Sequence, residues 1–160
     1  MVHDFVHVPL DFSLALARAR QVVPHRLPEA ANAAWTAAQD LYRELEPEVA
    51  HSMPSGPPRV DTRPIRQGDQ SLVIPVRWGV DVAGVMHPVM DANVELTPLG
   101  SGVSHLTIWG TGHPPAVPLH SPLLDRNIVD RVAEHSARAF LHKLNAILVE
   151  VPPNARPEGR

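Results

Sequence analysis

Apolar and polar residues alternate along three segments in the middle of the chain, SLVIPVRW (71–78), VMDANVEL (89–96) and SHLTIWGT (104–111). A period of two places every second side chain on the same face, which is typical of a strand that buries one side. A similar but weaker alternation at 59–66 contains a proline, which favours an edge position. With VHDFVHVPL (2–10), the pattern predicts about five strands.

The turn sequence Gly-Ser-Gly at 100–102 joins the last two of these strands. A three-residue loop that ends in glycine pairs Leu96 with Leu106 and Val94 with Ile108. This register keeps the apolar residues of both strands on one face of the sheet. It predicts that the opposite face carries His105, Thr107 and Trp109.

Helical spacing of apolar residues predicts two helices after the first strand. LPEAANAAWTAAQDLYREL (27–45) has an apolar stripe, and Pro28 suits its first turn. DFSLALARARQVV (11–23) is predicted as a shorter helix that ends at Pro24, but its partial alternation leaves a strand open as an alternative.

A third and longer helix is predicted near the end of the chain. It starts with a capping serine, Ser121, and runs without a breaker to Val151. The element order is then a strand, two short helices, an antiparallel meander and one long helix, which predicts an α+β fold. We expect a single domain over residues 1–151 and a loose tail over 152–160.

Composition narrows the possible functions. A chain of 160 residues with a net charge of −3 and no run of basic residues predicts one domain without nucleic acid as a partner. It contains no cysteine, which excludes disulfides, thiolate metal sites and cysteine nucleophiles. No apolar stretch approaches the ~20 residues of a membrane span. With no signal sequence at the N-terminus, we expect a cytoplasmic protein.

The pattern resembles the START-like superfamily, also called the SRPBCC, helix-grip or Bet v 1-like fold. Arg77-Trp78, the segment DANVELTPLGSGVSHLTIWGTGHPP (91–115) and the helix LDRNIVDRVAEHSARAFLHKL (124–144) carry this resemblance. It implies a curved antiparallel sheet wrapped around a long C-terminal helix. It also implies an apolar ligand, such as a lipid or polyketide, held between sheet and helix, whereas a minority of members are cyclases, aromatases or hydratases.

The expected function is therefore binding of an apolar or amphipathic small molecule without chemistry, in a lumen of ~300 Å³ or more. The alternatives are a cyclase- or hydratase-like enzyme that uses His87, Asp91 or His113, and an interaction protein with a filled core. The residues predicted to line the cavity share the inward face of the sheet or the stripe of the last helix. They are Leu72, Ile74, Val76, Trp78, Met90, Ala92, Val94, Leu96, Leu106, Ile108, Ala133, Phe140 and Leu144.

Other chemistry has little support in the sequence. The ten histidines show no spacing for a closed metal site, although His113 and His120 could converge with His87. No GxSxG elbow and no phosphate-binding loop is present. We therefore expect no metal and no cofactor, and we identify no catalytic residue.

The outward face of the hairpin suggests a protein partner. Trp109 is a large aromatic residue that nothing in the pattern covers, and aromatic residues are enriched where subunits meet. We expect a homodimer through the sheet face that carries His105 and Trp109.

Overall fold

The computed structural model describes residues 1–115 and 124–150. The elements follow the predicted order of strand, helices, meander and final helix. Their bounds are β1 (Val2–Val8), α1 (Phe12–Leu45), α2 (Pro47–Ser52), β2 (Arg59–Thr62), β3 (Arg66–Gly68), β4 (Ser71–Val82), β5 (Val85–Gly100), β6 (Val103–Gly112) and α3 (Arg126–Val149).

The strands form one curved antiparallel sheet in the order β1-β6-β5-β4-β2, and β3 also pairs with β4. The predicted hairpin register is confirmed, because Leu96 pairs with Leu106 and Val94 with Ile108. Gly102 in the turn has φ +74°, a conformation that favours glycine. The inward face of the hairpin is therefore the apolar face that the alternation predicted.

The sheet has six strands in place of the five predicted. The segment at 59–66 supplies only β2 and the first residue of β3, because the chain leaves the ladder at residues 63–65. Pro64 lies in this gap and has no N–H to donate. Both short strands pair with β4 and form one edge of the sheet.

Strands β4 and β5 extend beyond the predicted segments and meet in a tight turn. Ala83 and Gly84 form this turn with φ of 52° and 80°, the positive values that a two-residue hairpin requires. The pairing shifts between Trp78 and Gly79. A side chain at Gly79 would overlap the carbonyl of His87, so glycine is needed at this bulge.

Two helices follow β1, as predicted, but both predicted segments, 11–23 and 27–45, belong to the first and longer one. Residues 12–45 form one helix of 34 residues that contains Pro24 and Pro28, so the predicted stop at Pro24 is wrong. Both prolines are exposed and lie one turn apart, so the carbonyls that lose their N–H donors lie on the solvent side. The buried stripe continues past them through Val23, Leu27 and Ala31, and this burial outweighs the two missing hydrogen bonds.

Helix α3 begins at Arg126, and Asp125 caps it by accepting a hydrogen bond of 2.9 Å from the backbone N–H of Asn127. The predicted cap, Ser121, lies outside the described residues. At the other end, the Arg18 guanidinium donates to the carbonyl of Leu148 at 2.9 Å. This contact ties the C-terminal carbonyls of α3 to α1.

The helices pack on the inward face of the sheet and enclose two apolar clusters. The larger one combines α1 and α3 with β1 and β4–β6, and the smaller one lies around Trp35, Tyr42 and Val132. The predicted α+β architecture, with a sheet against a long C-terminal helix, is confirmed. The tail predicted over 152–160 falls outside the described residues. Within residues 1–115 and 124–150, no helix is long and apolar enough to span a membrane.

Candidate functional site

The residues predicted to line a cavity are all buried and belong to the larger apolar cluster. At their centre Trp78 and Phe140 stack with ring centroids 4.6 Å apart and planes 2° from parallel. The structure therefore brings the predicted set together, from strands β4–β6 and from α3. Of this set, only Ala133 borders the space described next.

A small space lies between α1, α3 and the sheet, at the edge of the smaller cluster. Its volume is about 10 Å³, whereas a single water molecule needs about 10–15 Å³. This space thus has room for one water at most. The described residues that line it are Trp35, Ala38, Tyr42, Val89, His113, Val129, Val132, Ala133 and Ser136.

The polar side chains around this space are an indole, a phenol, an imidazole and a serine hydroxyl. Trp35 is 3% exposed, and its Nε1–H has no hydrogen-bond partner among the described residues. Burial raises the pKa of Tyr42 to about 12, and its hydroxyl is protonated at neutral pH, as an unperturbed tyrosine's also is. Ser136 differs, because its Oγ already donates to the carbonyl of Ala133 at 3.0 Å.

The three residues proposed for an enzyme do not converge. Asp91 lies on the outward face of β5 and accepts a hydrogen bond of 2.8 Å from Arg77. His87 is exposed beyond the bulge in β5, and only His113 borders the space. His113 is half-buried, and its backbone N–H donates to the carbonyl of Val89 at 3.0 Å.

The histidines do not form a closed metal site within the described ranges. No group of three or more histidine or carboxylate side chains there could hold a metal ion. His120, which the sequence offered as a possible third member beside His87 and His113, lies outside those ranges.

The outward sheet face carries the residues predicted for a subunit contact. His105 and Trp109 are partly exposed on β6, and Phe5 on the neighbouring strand is 51% exposed. Trp109 lies opposite His3 of β1 and Asn93 of β5. The predicted placement away from α3 is confirmed, whereas the homodimer itself stays a prediction.

Of the residues that border the space, the sequence pattern marked only Ala133 and His113 as site candidates. Trp35 and Tyr42 lie in the apolar stripe of the helix predicted over 27–45, and the pattern gave them no further role. A position in the stripe predicts that a side chain is buried. It does not predict the neighbours of that side chain, which depend on how α1 and α3 cross the sheet. An indole and a phenol on the same helix face, seven residues apart, were the only available signal.

Comparisons with known proteins are limited to fold. No protein-family model matches the chain, and no curated protein sequence matches it. A structure search returns the Zhui aromatase/cyclase from Streptomyces sp. R1128, with 14% identity, a TM-score of 0.43, and 92% of each chain covered. It also returns TTHA0849 from Thermus thermophilus, with 13% identity, a TM-score of 0.39, and 92% of this chain and 96% of that chain covered.

The described elements place α3 across a six-stranded antiparallel sheet that closes on it with α1. This is the helix-grip arrangement, a curved antiparallel sheet against a long C-terminal helix. A helix-grip fold is compatible with many activities, and similarity at 13–14% identity transfers neither ligand nor reaction. The function has to be argued from the residues of this chain.

Proposed function

We propose that this helix-grip chain binds a small amphipathic or apolar molecule between α1, α3 and the sheet, without chemical change to it. The observation that supports the proposal is the buried indole N–H of Trp35. It has no hydrogen-bond partner within the described residues and belongs to a side chain that borders the space.

An unpaired buried donor is costly. Leaving such a group without a partner costs about 1–3 kcal/mol, so a buried N–H of this kind calls for a partner beyond the described side chains. A ligand oxygen at Trp35 would supply the missing acceptor. Tyr42 borders the same space, and its protonated hydroxyl would give a second donor for a carbonyl or ether oxygen.

The remaining walls suit the apolar part of such a ligand. Val89, Val129 and Val132 contribute apolar surface, while Ala38 and Ala133 are short. A drug-sized ligand needs roughly 300 Å³, so it enters only if Trp35 or the helix that carries it moves aside. The ligand would then reach the predicted lining residues, including Trp78 and Phe140.

The volume of about 10 Å³ supports a second candidate, an interaction protein whose core is filled. The two candidates predict opposite results in a binding experiment. A binding protein takes up a small apolar molecule, whereas a protein with a filled core does not. A cyclase- or hydratase-like enzyme has less support, because only His113 of its three proposed residues borders the space.

We propose in addition that two copies of the chain form a homodimer through the sheet face that carries His105 and Trp109. The half-exposed Phe5 beside this face supports the proposal, since desolvated aromatic residues contribute much of the affinity of subunit contacts. The cytoplasmic location stays a prediction.

Ligand binding can be tested with prodan, a neutral naphthalene ketone whose fluorescence reports on polarity and hydrogen bonding. We expect saturable binding with a blue-shifted emission. Trp35→Phe keeps an aromatic ring but removes the N–H, so it should weaken binding roughly 5- to 10-fold, the value of one hydrogen bond. Trp109→Phe removes an indole from the outward sheet face and is the matched control.

The same experiment separates the candidates. Absence of saturable prodan binding, together with native mass spectra that show only the bare chain, would favour the filled core. Equal weakening by Trp35→Phe and Trp109→Phe would contradict the proposed position of the ligand. Turnover of a bound molecule that is lost in His113→Gln would favour the enzyme.

A further inference from the structure

Two histidines from opposite ends of the sequence lie side by side on the outward face of the sheet. His7 of β1 is directly opposite His105 of β6, and their ring centroids are 5.7 Å apart. His7 is exposed and His105 is partly exposed. We propose that this pair binds a first-row divalent metal ion, with Zn²⁺ as the representative case, through one imidazole nitrogen of each residue.

The distance between the rings fits a shared ion. Zinc–nitrogen bonds are about 2.0–2.1 Å long in tetrahedral geometry, which places the centroids of two ligating imidazoles about 5 Å apart. The pair therefore needs to close by less than about 1 Å, which small rotations of the side chains supply. Imidazole is a good ligand for zinc, copper and nickel.

The nitrogens of both rings are available. Within residues 1–115 and 124–150, neither imidazole takes part in a side-chain hydrogen bond or an ion pair. Besides the pairing of β1 with β6, the backbone carbonyl of His7 accepts a hydrogen bond from the Asn145 amide at 3.3 Å. Metal binding would thus cost neither imidazole an existing hydrogen bond or ion pair.

The backbone holds the two residues in register. On the inward side of β1, Val6 and Val8 are buried, and Asp4 accepts from Arg138 of α3 at 2.8 Å. Phe5 lies against both rings, with centroids 5.0 Å from His105 and 5.7 Å from His7. When the first imidazole binds the ion, the second is already close, which raises its effective concentration.

The site differs from a structural metal centre. No third histidine or carboxylate completes a ligand group among the described residues. Water or a second copy of the chain would fill the remaining coordination positions. We expect the fold not to depend on such an ion, so a chelator should leave the melting temperature unchanged.

Calorimetric titration of the untagged protein with ZnCl₂ at neutral pH tests the proposal. His7→Gln and His105→Gln should each weaken the tightest binding event roughly tenfold or more, because each leaves a single imidazole. His3→Gln is the matched control, since it removes a histidine from the same face of the same strand, opposite Trp109. Copper should bind more tightly than zinc, and manganese more weakly.

Imidazole resonances give a second readout that does not depend on affinity. Zinc should shift the signals of His7 and His105 together, at a stoichiometry of one ion per chain, or one per two chains if two copies share it. Circular dichroism checks that the glutamine variants fold. Wild-type affinity in both His7→Gln and His105→Gln, or an equal loss in His3→Gln, would overturn the proposal.

Discussion

The stacked pair of Trp78 and Phe140 gives the most direct test of the core. Phe140 is fully buried on α3 and Trp78 is fully buried on β4, so their contact joins the last helix to strand β4 of the sheet. The variant Phe140→Ala removes the ring and leaves a cavity against the flat face of the indole. Because packed side chains on all sides hold their positions, the cavity collapses only in part.

The expected cost follows from this geometry. Replacing a buried phenylalanine by alanine lowers the free energy of unfolding by about 3–5 kcal/mol. An aromatic pair contributes ~0.5–1.5 kcal/mol of such a loss beyond its buried area. For a chain of this size each kcal/mol lowers the melting temperature by roughly 2–4 °C, so we expect a decrease of roughly 6–20 °C.

Urea denaturation followed by circular dichroism measures the free energy, and two controls divide it into parts. Phe140→Leu keeps most of the volume and loses the stack, so it should cost less than about 1.5 kcal/mol. Phe5→Ala removes the same atoms from a half-exposed position and should cost about 0.5 kcal/mol or less. If Phe140→Ala costs less than about 1 kcal/mol, or no more than Phe5→Ala, the close packing around the pair is refuted.

Three further outcomes are expected. Trp109→Ala should shift the particle towards monomer in sedimentation velocity and leave prodan binding unchanged; a wild-type chain that is monomeric at high concentration would rule this out. A side chain at Gly112 would overlap Ala133, so Gly112→Ala should cost ~1–3 kcal/mol, and Ala133→Gly in the same chain should recover part of it; strictly additive losses would contradict that contact. Tyr42 is the only tyrosine, and the ultraviolet absorbance of its tyrosinate should give a midpoint near its raised pKa of about 12. Since the unfolded chain releases this proton near 10.0, the free energy of unfolding should fall as pH rises from 10.0 towards 12; a midpoint at 10.0 would show an exposed phenol.

The β5–β6 hairpin was predictable because its information is local. Alternation fixes which side chains point inward, and the glycines of the turn fix the register between Leu96 and Leu106. Helix α1 was harder, since Pro24 is a strong local stop signal. The stop is overridden by burial of the continuous stripe through Val23 and Leu27 against the sheet and α3, which is a tertiary effect that a local rule does not contain.

The candidate sites were least predictable for the same reason. Trp35 and His113 are far apart in sequence, and only the packing of α1 against the end of the sheet brings them to one space. The pair of His7 and His105 depends on β1 joining the sheet beside β6. Alternation predicts that each strand exists, but it does not determine which strands become neighbours.

The pairing of β1 with β6 also affects how the chain folds during synthesis. Val2 pairs with Gly110 and Val8 with Ser104. The first strand therefore cannot pair until β6 has been synthesised, roughly 100 residues later. At ~5–20 residues per second this delay is roughly 5–20 s. In that interval α1 can already form, whereas β1 presents unpaired backbone groups and the side chain of Phe5 to other chains. Strong overexpression should therefore favour aggregation of nascent chains through this segment. Slower translation initiation, or a chaperone bound to the nascent chain, should raise the soluble yield.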